Sequence, residues 1–463
     1  MNAAMIRTVF AASALLAATP LAAQSATQEE LDARYDRALA AGYKALMLCG
    51  AIANAERNGT TRTPESVEQW ELAGTQSPFA EIIGELPYKI VRGQDGLVDW
   101  VEVPWAADMP PRHALNFSNT GCVIQPISAR LPTGWTHYEE VKQAEPRPWP
   151  VSPDKGLAKF APENATQWGE GTRTTAVLVL RNGTLVHEAY ADGFGPSVPQ
   201  RTWSVAKSLA ATMIGFDVHR SGLDVTNIWA LAGFAPGDDL RTEISVDHLL
   251  RMASGRYSNT PGNRTDEIYY GGVSLDEQLF GWPSIYPPGT VFRYANNDTL
   301  LAYRATRAAV EDTGWVDPVF VDDFLEAVGM TGTTVEADRQ ANYIVSSQVW
   351  ATARDLGRLG QLYLDGGITP SGKRILPENW VEYVSSPTGP QPDGPFGYGA
   401  GFWLLNRSEG VPPDTFAAFG NRGQFIIIVP DMNVVIVRRG EDPAGARFDI
   451  AAFTRDVLDS LRK

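Results

Sequence analysis

The sequence predicts an α+β fold: an antiparallel sheet completed by segments far apart in the chain, with helices inserted between its strands. Three observations carry this expectation. Strand-like runs over 175–180 and 184–190 flank Asn182-Gly183, the dipeptide best suited to a tight hairpin turn. A second pair, 425–429 and 434–438, flanks Pro430-Asp431-Met432-Asn433 and is followed by helical spacing over 450–461. Between the two hairpins, helical periodicity dominates over 204–218, 246–252, 300–310 and 353–364.

Ahead of this region, Leu31, Tyr35, Leu39, Tyr43 and Leu46 recur at three- and four-residue steps and predict a helix over 27–54. Residues 59–171 are rich in Pro, Gly and Trp, with short apolar stretches at 88–91 and 97–103 and a linker-like run at 146–153. They read as an irregular extension without a chemical motif. At the start, Arg7 precedes an alanine-rich apolar run over 9–21, then Ala22 and Ala23, which is the pattern of a secretory signal peptide. The alternative, a membrane anchor, needs roughly 20 apolar residues, and no later segment reads as long and apolar enough to span. The organisation expected is therefore a leader over 1–23, an N-terminal helix with an irregular extension over 24–170, and one main domain over 171–463. Export places the mature protein in the periplasm or outside the cell.

With 463 residues, 44% of them hydrophobic, the chain can bury a sizeable core. Its formal charge of −15 argues against nucleic acid as a partner, because such binders cluster Lys and Arg to displace counterions. Cys49 and Cys122 are the two cysteines. In an oxidising compartment they are expected to pair, two separate buried thiols being the alternative.

Ser204-Val205-Ala206-Lys207 opens a helix, and a spacing of three puts Ser204 and Lys207 on one side of its first turn. Three effects then converge on the Ser204 hydroxyl: unpaired amides at the helix start, a lysine amine able to take its proton, and burial that lowers the lysine pKa. A serine three residues before a lysine also arises as an ordinary N-cap beside a solvated lysine. Further on, Pro287-Pro288-Gly289-Thr290 leads into Tyr294-Ala295-Asn296; taken alone, these are a core tyrosine and a turn asparagine. The five histidines show no metal-ligand spacing, and neither His-Glu-x-x-His nor Gly-x-Ser-x-Gly is present.

Taken together, Ser204-x-x-Lys207, Tyr294-x-Asn296 and a late Gly-rich strand entry resemble the serine β-lactamase and penicillin-binding-protein superfamily. Within it the chain is similar to the class C β-lactamase-related hydrolases, including esterases and 6-aminohexanoate-dimer hydrolases. Supporting stretches are 249–255, 352–356 and 362–367, and the resemblance covers roughly 174–461. It implies a β-lactamase-like fold, an antiparallel sheet flanked by helices with a helical subdomain. It also implies acyl transfer through Ser204, with Lys207 and Tyr294 sharing the proton work in an order left open. Asn296 would orient Lys207 and the substrate, and the Ser204 and Asn421 amides would form the oxyanion hole, with Gly420 at the motif glycine. No metal or organic cofactor is required. Tyr257, Asp266, Tyr269 and Tyr270 follow Ser254-Gly255, where this family often lines its pocket; they read equally as loop aromatics.

One departure bears on the substrate. Where the family often carries Lys-Thr-Gly or His-x-Gly, this chain has Ala418-Phe419-Gly420, with Ala418 at the cationic position. Penicillin recognition relies on that cation, so the expected substrate is a small ester, an amide or a short peptide. Arg422 could supply charge from a neighbouring position. The rivals are a D-amino-acid-specific peptidase or true β-lactamase, and, in another class, a non-hydrolytic sensor that is acylated without turning over.

Overall fold

The computed structural model describes residues 25–118, 120–131, 148–231, 235–258, 265–313 and 320–462; the leader read over 1–23 lies outside them. Helix α1 (Gln28–Arg57) begins at Thr27, whose side chain accepts from the Glu30 amide while Glu30 reaches back to the Thr27 amide. From Ala38 to Ala55 it is buried on every side. By length and composition it could cross a membrane, which corrects the expectation that no segment after the leader could; its apolar stretch is instead wholly inside the protein.

The extension read as irregular carries an antiparallel meander, β1 (Lys89–Arg92), β2 (Val98–Val103), β3 (Arg112–Phe117) and β4 (Gly121–Ile124), packed on α1. Its strands are short and separated by Pro and Gly, which hides them in the composition. Cys49 of α1 and Cys122 of β4 are joined in a disulfide spanning 73 residues of sequence. A loop of that length is worth about 4 kcal/mol by the loss of unfolded-chain entropy. Exchanging both cysteines for serine should lower unfolding stability by up to that amount, read from denaturant midpoints; an unchanged midpoint would show the bridge to be dispensable.

β5 (Thr174–Arg181) and β6 (Thr184–Tyr190) form the predicted hairpin, with Asn182 at φ 52° and Gly183 at φ 70°. Two left-handed residues in succession give the turn whose twist matches the strands. β7 (Gln200–Arg201), β8 (Thr334–Val335) and β9 (Val349–Ala351) make a small sheet in the order β7-β9-β8. β10 (Gly397–Tyr398), β11 (Trp403–Leu404), β12 (Phe416–Gly420), β13 (Gln424–Val429) and β14 (Val434–Gly440) complete a seven-stranded antiparallel sheet, β10-β11-β12-β13-β14-β5-β6. The first hairpin thus meets the last: Val179 pairs with Ile436.

Four helices matter for the site: α2 (Val205–Ser221), α3 (Asn296–Asp312), α4 (Ala353–Leu364) and α5 (Ile450–Leu461). Period-2 alternation sorts the sheet residues between two cores. Leu178, Leu180, Ile426, Val435 and Val437 join α1, α2 and α4 in the larger one. Val177, Val179, Ile427 and Ile436 face Phe160, Trp168 and Phe453 in the other. Residues ahead of 171, Phe160 and Trp168 among them, thus pack on this sheet. Each such side chain contributes about 1.5–3 kcal/mol when fully buried.

Candidate active site

The chain approaches the site along β7. Arg439 of β14, fully buried, donates to the carbonyls of Gln200 (2.9 Å), Arg201 (3.3 Å) and Ala351 (2.6 Å) and to Gln424 Oε1 (2.5 Å). The Thr202 amide donates to Val349 O at 2.8 Å. Trp203 then takes φ 49°, a left-handed conformation costly for a bulky side chain, beneath the Arg201 guanidinium 4.1 Å from its ring centroid. This sharp turn delivers Ser204 to the start of α2.

Ser204 is not an ordinary cap: its side chain makes no hydrogen bond to the amides of α2. Its Oγ lies 2.9 Å from Lys207 Nζ, which also donates to Asn296 Oδ1 (2.7 Å) and Ser346 O (2.9 Å). Lys207 is 1% exposed, and burial pushes its amine down from 10.5 to about 7. The two carbonyl oxygens can only accept hydrogen bonds. A neutral lysine therefore gives both N–H groups to them and is left with its lone pair facing the Ser204 hydroxyl.

The Tyr294 phenol shares a hydrogen bond with Ser204, and burial pushes its pKa up, so it stays protonated. Its ring is held against Tyr398 and Trp403, at 6.1 and 5.5 Å between centroids, with Lys207 Nζ 5.0 Å away. Asn296, the first residue of α3, donates from Nδ2 to Thr265 Oγ1 at 3.4 Å. Tyr269 Oη and Ser346 Oγ share a 2.5 Å hydrogen bond behind the lysine.

β12 ends at Gly420, pressed against the serine turn. A Cβ on Gly420 would stand 2.4 Å from Thr202 O and 3.2 Å from Ser204 N, both backbone atoms with little room to move. Gly420→Ala should therefore push strand and turn apart and lower the melting temperature; an unchanged melting temperature would show that this contact does not matter. Among the described residues, neither the Ser204 nor the Asn421 backbone amide donates to a protein acceptor.

These groups open onto a cavity of about 710 Å³, walled by Trp203, Trp403 and Phe419 among other rings. Asp266, Tyr269 and Tyr270 line it as expected from sequence, together with Ser204, Tyr294, Asn296, Gly420 and Asn421. Tyr257 does not. Gly255, at φ 74°, turns the chain so that Tyr257 is exposed and rests on Trp282, 5.9 Å between centroids. Arg422 touches the cavity wall, yet its guanidinium is engaged by Glu441 Oε2 and by the carbonyls of Trp70 and Ala73, all at 2.7 Å. It is not a cation available to a substrate. Ala418 is fully buried in the larger core.

The sequence reading missed the walls contributed from far away: Tyr43 of α1, Thr75, Gln76 and Phe79 from the extension, and Arg447, exposed beyond β14. No local motif marks them.

The family model described as Beta-lactamase matches residues 161–455. A 6-aminohexanoate-dimer hydrolase of Paenarthrobacter ureafaciens is 28% identical over 302 residues, 59% of this chain and 74% of that protein. Among solved structures, a Bacillus anthracis protein provisionally described as a 6-aminohexanoate-dimer hydrolase superposes with a TM-score of 0.52 at 21% identity, over 68% of this chain and 86% of its own. A point mutant of a class C β-lactamase gives a TM-score of 0.50 at 15% identity, over 66% and 97%. At these identities the solved structures speak for the fold.

Proposed function

The chain belongs to the β-lactamase family of hydrolases, and from that premise we propose that it is a serine hydrolase acting on neutral esters or amides through an acyl-enzyme on Ser204. The observation that carries the reading is the setting of Lys207: a buried amine near neutral pKa, with two acceptors for its N–H groups and its third direction toward Ser204 Oγ. In the proposed sequence Lys207 takes the serine proton as Oγ attacks the carbonyl. The oxyanion is met by the Ser204 and Asn421 amides, donors worth about 3 kcal/mol each in comparable sites. Tyr294, kept protonated by burial, gives its proton to the leaving nitrogen or oxygen. Return of the proton from Lys207 to Tyr294 resets both groups for attack by water.

The preference for neutral substrates follows from the cavity. A carboxylate must lose water on entering, at a cost that only a cation or several donors offset. Ala418 lies in the core rather than on the cavity, so that position presents no cation there, and Arg422 is already paired with Glu441. Short-chain nitrophenyl esters should therefore be turned over steadily, while nitrocefin is cleaved at least about tenfold less efficiently by kcat/KM, the equivalent of one weak interaction. A single burst without turnover would favour the acylatable sensor. Efficient nitrocefin hydrolysis would favour a true β-lactamase, with Arg447 as the carboxylate partner. Export is proposed on the leader-like residues 1–23 and the Cys49–Cys122 disulfide; an intact Met1 on cytosolic protein would overturn it.

A further inference from the structure

Arg422 sits in the turn 421–423 between β12 and β13, next to the Asn421 amide, with φ 57° followed by Gly423 at φ 79°. A side-chain-bearing residue holds a left-handed conformation only when its surroundings impose it. Here the imposing contacts come from the N-terminal extension and from Glu441. Arg422 Nη2 donates to Trp70 O and Ala73 O, and Nε donates to Glu441 Oε2. The 70–73 loop is itself fastened: Tyr43 Oη donates to Glu71 O (3.0 Å), and Arg62 pairs with Glu71 at 2.7 Å, both side chains buried. Past it, Gly74, Thr75 and Gln76 run along the cavity. All of these residues precede the 161–455 stretch matched by the family model.

We infer that the loop 70–76 is a working part of the active site, clamping Arg422 and thereby setting the position of the Asn421 amide. Arg422 is thus a positioning residue that acts through the turn it anchors, and the extension does the fixing. Lysine in its place keeps the charge facing Glu441 but lacks the forked donors that reach two carbonyls and a carboxylate together. The inference rests on the acyl transfer proposed at Ser204. Steady ester turnover by the unmodified protein with Ser204 labelled by a fluorophosphonate establishes that reading by itself, so the two can fail separately.

The test compares Arg422→Lys with the full-length parent on three readouts: kcat for a nitrophenyl ester, affinity for a boronic acid that adds to Ser204, and affinity for a non-hydrolysable amide analogue. A displaced oxyanion donor should lower kcat and boronate affinity together by about tenfold or more, with amide-analogue affinity held within about twofold. A merely structural loss would move all three or only the melting temperature. Should Arg422→Lys fail to fold, Gly74→Ala probes the other side of the contact, since its Cβ would meet Pro443 Cβ at 2.8 Å and shift the loop. Parental kcat in the folded variant, or equal losses of boronate and amide-analogue affinity, would overturn the inference.

Discussion

Ser204→Ala is expected to reduce ester turnover to background, a loss on the order of a million-fold in kcat, as for nucleophile removal in other hydrolases. Folding should be retained, because the Ser204 side chain caps no amide of α2 and the hydroxyl stands at the cavity rather than in the core. Fluorophosphonate labelling should disappear in the same variant. The Lys207 amine would remain buried beside Asn296 and Ser346, so the variant isolates the nucleophile from its surroundings. Substantial turnover by folded Ser204→Ala would place the chemistry on another residue.

Lys207→Met should cost at least about a hundredfold in kcat, in line with general-base contributions, and so should Tyr294→Phe. The pH dependence gives the lysine its own signature. Below about pH 7 the amine is an ammonium with no lone pair, so kcat/KM of the parent should rise about tenfold per pH unit up to that point and level off above it. Stability runs the same way. The unfolded lysine titrates near its ordinary 10.5 and the folded one near 7, so between these values the unfolded chain holds more protons and stability climbs with pH. The methionine variant lacks this burden, and its stability advantage should be greatest below pH 7 and shrink toward pH 10. A parental profile that is flat from pH 5 to 9 would remove Lys207 as the base.

What could be read from the sequence was local. Asn182-Gly183 dictates its turn through backbone sterics, and Ser204 and Lys207 are brought together by one helical turn. Asn296 meets Lys207 through the resemblance and not through any spacing, since 89 residues separate them. The rest depends on contacts between distant segments. Arg422 looked like a spare cation because the carbonyls of Trp70 and Ala73 that hold it carry no side-chain signature. Of the two readings open for Tyr257, the loop aromatic is the one observed, just past a left-handed glycine. Tyr43 looked like an ordinary core position of a helix, which it is, with one edge on the cavity.

α1 shares the larger core with residues as late as Val437, and β5 is zipped to β14, so the native packing joins early and late parts of the chain. Gly50 of α1 shows how closely: a Cβ there would collide with the Trp350 ring, 2.5 Å away. Contacts of such sequence separation make folding slow and leave apolar surface uncovered in the meantime. During synthesis the chain therefore cannot complete its native packing until its final hairpin has emerged, and on the export proposed above, a translocation machinery that threads only unfolded polypeptide would have that interval in which to engage it.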